Sequence, residues 1–343
     1  MSADSAAITA VANALVSGNH LPNGSPFPGF DHVAYVEVNG DPTQSGADPA
    51  APSTLESVLA NHQVENLLVI LGVGTHSTPT AFDITSDNVT LQGRLGGYQA
   101  QTTALTGPLN LTAGVTRFQA FGLRFNSDIN DLGSDGRHRF VECGSGAITY
   151  LRTSPRNFLE FLDSSMPGCD YTVSGSGNGG TAGGADTFMT GASDLGSISV
   201  STSGHYFKTR HGSTSKQISA PNGSSPIFVL EGFVINGTDS VGVSLPTGSL
   251  IAQNCRFNQT GVGLAAVDVN LHWFADVLYR DAGSSVGGIF PGLGATEAEV
   301  QAGNGGASQF SRLAYTAADP NDWGGNPPTT VAEALDRLAS MTP

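Results

Sequence analysis

Two stretches of this chain align without a gap, Ile227–Thr238 (IFVLEGFVINGT) and Ser249–Thr260 (SLIAQNCRFNQT), so that Ile227 falls on Ser249. An earlier run, Arg117–Asn126 (RFQAFGLRFN), fits the same frame five whole repeats upstream of the first stretch. A fragment at Arg139–Gly144 (RFVECG) continues the frame and puts Arg139 one repeat after Arg117. The columns carry a physical pattern. Phe118, Phe228 and Leu250 form one apolar column, and Ala120, Leu230 and Ala252 form the next inward one. The phase then shifts across Gly122, Gly232 and Asn254, residue types that tolerate positive φ. Beyond that kink Leu123, Phe233 and Cys255 are apolar, followed by Phe125, Ile235 and Phe257, while Arg124, Val234 and Arg256 alternate outward. Asn126, Asn236 and Asn258 close each copy and predict a ladder of stacked amides. A unit this short cannot enclose its own core, so stacked coils of parallel strands are the simplest reading. An antiparallel sandwich is the competing one.

The rest of the chain frames this region. Asn66 to Arg280 holds short β-rich runs separated by Gly, Asn, Asp and Ser, with no helical spacing. Upstream, residues 4–17 read as a short helix and His32–Val38 as a strand. Ser53–His62 reads as a second helix with Ser53 and Glu56 placed as a capping box. At the other end Thr330 and Glu333 cap a helix over 329–340, whose stripe is Val331, Ala334, Leu335 and Leu338. Three segments follow: 1–62, 63–280 and 281–343. Only 13% of the residues are charged, too few for a long coiled coil, while 39% are apolar, too many for a disordered chain. The net charge of −15 repels phosphate backbones and argues against a nucleic-acid partner. No run of apolar residues is long enough to span a membrane, and no basic leader precedes the first apolar residues. Cys143, Cys169 and Cys255 are too few and scattered for a disulfide framework or a zinc site.

The chemistry-bearing residues are sparse. Glycan cleavage needs paired carboxylates, and Glu231 and Asp239 are the candidates on or near the coils. The loop from Asp128 to Asp135, with Asp131 between them, offers carboxylates to a cation such as Ca²⁺; Leu132 in a ligand position breaks the EF-hand spacing. No other metal or cofactor is expected. His205, Lys208, Arg210 and His211 form the densest basic cluster, suited to an anionic sugar or a neighbouring subunit. Alternation puts His205 and Phe207 on one face, and Lys208 and Arg210 on the other. The segments 128–135 and 174–196 read as exposed contact loops. Gly175–Gly180 matches G-x-G-x-x-G and Gly283–Gly287 matches G-x-S-x-G, but neither is followed by a helical run.

The segment Phe228–Leu264 and the run Gly204–Thr214 (GHYFKTRHGST) resemble the right-handed parallel β-helix proteins of the pectate-lyase-like class. The implied fold is all-β, a single-stranded right-handed parallel β-helix with short helical terminal segments. None of that class's catalytic motifs matches residue by residue, so no catalytic residue is carried over. The segment Asp319–Ala339 (DPNDWGGNPPTTVAEALDRLA) resembles segments of tail-fibre and other appendage proteins of tailed bacteriophages. That resemblance implies a structural virion protein on the particle exterior, a homotrimer, contacts with other virion proteins, and binding of host-surface polysaccharide. The alternative is a polysaccharide lyase or hydrolase.

Overall fold

The computed structural model describes residues 30–93, 102–132, 136–153, 158–174 and, with short breaks, 186–285, together with a few positions between 327 and 337. Its strands form three parallel ladders wound by successive coils. Ladder A climbs from His32–Val36 through Leu67–Leu71, Val89–Gly93, Arg117–Phe121, Arg137–Val141, Phe158–Leu162, Thr187–Thr190, Tyr206–Arg210 and Ile227–Glu231 into Val241–Gln253 and Leu264–Ala275. Ladder B holds short strands such as Arg124–Phe125 and Val234–Gly237. Ladder C holds Ile129–Asp131, Ile148–Arg152 and Cys169–Val173, among others. Phe228 pairs in parallel with Leu250 and Leu230 with Ala252, so the chain is a stacked solenoid and the sandwich reading is excluded. Among the described residues no helix is long and apolar enough to cross a membrane.

The inward columns explain the alternation. Val89, Phe118, Leu159, Phe207, Phe228 and Leu250 lie on successive or near rungs and are buried. Like residues stack: the Phe207 and Phe228 rings lie 5.2 Å apart, Phe140 and Phe161 5.7 Å, Tyr150 and Tyr171 5.5 Å. Such pairs add roughly 0.5–1.5 kcal/mol beyond area burial.

One corner is built the same way on successive coils. A left-handed residue turns the chain from ladder A to ladder B: Gly122 (φ 61°), Glu142 (51°), Asp163 (48°), Gly191 (66°), His211 (66°, followed by Gly212 at 108°), Gly232 (61°) and Asn254 (53°). At four of these corners the buried side chain just beyond it caps a carbonyl of the coil below. Cys143 Sγ donates to Ala120 O (3.4 Å), Ser164 Oγ to Phe140 O (2.9 Å), Ser193 Oγ to Phe161 O (3.1 Å) and Cys255 Sγ to Leu230 O (3.3 Å). These two cysteines are therefore core hydrophobes with a weak donor role, and burial pushes the Cys143 thiol up to about 12. A Cβ at Gly232 would stand 2.6 Å from His211 Nδ1 at positive φ. Gly232→Val is expected to cost about 1–2 kcal/mol, read as a fall in the urea midpoint.

Three local expectations are corrected. The repeat at Arg139 is displaced: Arg117 pairs with Arg137 instead, so this coil is shorter than the one from Ile227 to Ser249, and Phe118 is stacked on His138. The asparagine ladder is broken. Asn236 and Asn258 are register partners, but above Asn126 stands Gly146. Side-chain amide ladders form elsewhere, with Asn88 donating to Asn66 (2.5 Å) and Asn130 to Asn110 (2.8 Å). The helix expected at Ser53–His62 spans Leu55–Asn61 (α1), and its cap is Thr54, whose side chain accepts from Ser57 N. Leu55, Val58 and Leu59 bury α1 against the first coil. The strand ladder thus begins at His32, upstream of residue 63. Helix 4–17 lies outside the described residues. So does most of 329–340; there Glu333 accepts from Thr329 N and Oγ1, one residue before the expected cap.

Candidate ligand-binding face

Because side chains alternate, ladder A presents three outward columns to solvent. One runs Arg117, Arg137, Phe158. The central one runs Gln119, Arg139, Glu160, Phe188, Lys208, Val229, Ile251. The third runs Phe121, Val141, Leu162, Thr190, Arg210. The Arg137 guanidinium lies over the Phe158 ring at 5.7 Å. Arg139 Nε and Glu160 Oε2 pair at 2.6 Å, and Arg210 Nε and Glu231 Oε2 at 3.6 Å. The Arg210–Glu231 pair is the more exposed and contributes little stability. Among the described residues the side chains of Arg117, Arg137 and Lys208 form no ion pair with a carboxylate, although the Arg117 N–H donates to Asp87 Oδ1 (2.6 Å).

The sequence candidates separate on this scaffold. Lys208, Arg210 and Glu231 share the outer A face, and His211 stands at its corner. His205 does not join them. It is fully buried, on the inward side with Phe207 as alternation predicted, and so it is not a surface contact. Asp131 is fully buried too, whereas Asp128 is exposed and its Oδ1 accepts from Thr149 N at 2.7 Å. These two carboxylates serve separate structural tasks. Asp135 and Asp239 lie outside the described residues, as do 133–135 and 175–185. Within the expected loop 174–196, Thr187–Thr190 and Asp194–Leu195 are rungs of the ladders. Among the described residues no group of three or more His, Cys, Asp or Glu is placed to hold a metal.

Asp131 and His205 belong instead to a polar chain inside the coils. Tyr150 OH donates to Asp131 Oδ2 (3.1 Å), and His138 Nε2 lies 3.6 Å from Asp131 Oδ1. Arg152, also fully buried, donates through Nη1 to Asp186 O (2.9 Å), Thr187 Oγ1 (3.0 Å) and Tyr171 OH (3.4 Å). Thr187 Oγ1 meets His205 Nε2 at 3.1 Å, and His205 Nδ1 lies 3.9 Å from Asp186 Oδ2. Burial, reinforced by the Arg152 charge, pushes His205 down to about 3. Burial also lowers His138, against the pull of Asp131. Both histidines are therefore neutral at pH 7. The sequence reading missed Arg152, which looks like a surface charge. Its alternation with the buried Tyr150 was the available signal.

Comparison with known proteins gives no matching family model, no matching curated protein and no matching solved structure.

Proposed function

We propose that the chain is a structural, adhesive β-helix of a phage particle, a tail fibre, spike or decoration protein. One observation carries the mechanical part: a parallel ladder continuous from His32–Val36 to Leu264–Ala275 around an apolar core. A rod of that kind is stiff and offers few cleavable loops per coil. The outer A face, with cations and aromatics in register, is the surface suited to host-surface glycan. The resemblance of Asp319–Ala339 to phage appendage segments supports the particle exterior, contacts with other virion proteins and a homotrimer. Gold-labelled antibody against the chain should decorate purified particles in electron micrographs; labelling confined to host debris would overturn the assignment. Sedimentation should give a trimer that falls to monomer when residues 319–343 are removed, and a monomer in both cases would dismiss that segment's role.

The lyase or hydrolase alternative draws on Glu231 standing beside Arg210 on the same face. A glycosidase needs one protonated carboxyl and one ionised. Here Glu160 and Glu231 are each engaged by an arginine instead. Incubation with bacterial capsular polysaccharides is expected to release no reducing ends. Turnover abolished by Glu231→Gln would establish the enzyme reading.

A further inference from the structure

The charges of this chain are sorted by face. The protein carries 29 acidic and 14 basic residues. The outer A face from Arg117 to Gln253 inverts that balance. It holds Arg117, Arg137, Arg139, Lys208 and Arg210 against Glu160 and Glu231, with the Asp87 carboxylate tied to Thr116 and the Arg117 N–H where the first rung starts. Asp186 at its edge is turned inward beside His205, and Glu142 and Asp163 sit at the corner rather than on the face. The cations fall in two groups, on the 117 and 137 rungs and on the 206–210 rung. The rungs between present Phe158, Leu162 and Phe188, with Glu160 among them paired to Arg139. Three rung spacings separate the groups, about 14 Å.

We propose that this face binds an acidic polysaccharide, one whose sugars carry carboxylate or sulfate groups at intervals, laid along the ladder axis. This deepens the adhesive reading above by naming its ligand class, and it rests on that reading for its setting. Sparse cation groups flanking aromatic rungs match a polymer with widely spaced charges and apolar sugar faces. Nucleic acid fits poorly. Duplex DNA carries a charge every ~1.7 Å and would meet the long-range repulsion of a net −15 protein. The Arg210–Glu231 pair tunes the site, because Glu231 repels the same ligand that Arg210 attracts.

The test uses the full chain over surfaces bearing polygalacturonate, heparin, neutral dextran or single-stranded DNA, read by interferometry at two salt concentrations. Binding to one or both acidic glycans is expected, weakening as salt rises. The double variant Arg137→Ala/Lys208→Ala should lose about tenfold or more in affinity. Glu231→Gln should gain affinity severalfold, a change of sign that damage to the fold would not produce. Equal binding to dextran, preference for DNA, no binding to either acidic polymer, or no gain in Glu231→Gln would each overturn the proposal. Particle labelling would be untouched by such a failure, so the structural assignment and the ligand class stand or fall separately.

Discussion

Arg152→Ala is expected to lower stability by about 3–5 kcal/mol. The substitution removes the buried guanidinium that binds the Asp186 carbonyl, Thr187 and Tyr171. It also takes away a positive charge that the buried Asp131 carboxylate feels, leaving that carboxylate in the core beside Tyr150 and neutral His138. Circular dichroism across a urea gradient checks it. The double variant Asp131→Asn/Arg152→Met should recover most of the loss, because neither residue then carries a charge into a low-dielectric interior. If Arg152→Ala unfolds at the wild-type midpoint, the buried chain contributes nothing and its geometry is incidental.

Acid should destabilise the same coils. In the unfolded chain a histidine takes up its proton near pH 6.5, whereas folded His205 resists until about 3. Between those values the unfolded state holds more protons, so stability present above pH 6.5 is lost as pH falls toward 3. His138 and buried His76, both lowered chiefly by burial, act in the same direction. Urea midpoints measured from pH 7.5 to 4 should fall steadily, and His205→Gln should flatten part of that slope. A midpoint independent of pH over this range would contradict the buried, neutral placement of His205.

What was legible in the sequence follows from what each coil shares with its neighbours. Ile227 and Ser249 begin runs that match without a gap, so Phe228 and Leu250 align by eye and the parallel pairing is readable. The coil at Arg117 has a different step. Its partner rung begins at Arg137, puts His138 over Phe118, and turns at Glu142 where the Arg117 coil turns at Gly122. No residue type announces that register; hydrogen bonding between coils fixes it. The outer A face was half visible. The Lys208 and Arg210 alternation was plain. Their alignment with Arg137 and Arg139 depends on the unequal lengths of the coils between them. Asp131 and Arg152 were hidden for a different reason. Each is a charged residue at the end of a strand, in alternation with buried Ile129 or Tyr150, and the hydrogen bonds that make burial tolerable come from other coils.

The solenoid converts sequence into girth rather than reach. Each winding of roughly 20 residues advances the axis by only ~4.8 Å, where the same stretch as one α-helix would extend ~30 Å. A strut of that cross-section resists bending far better than a single helix. Lengthening it takes whole extra windings, each of which also widens the outward strip by another row.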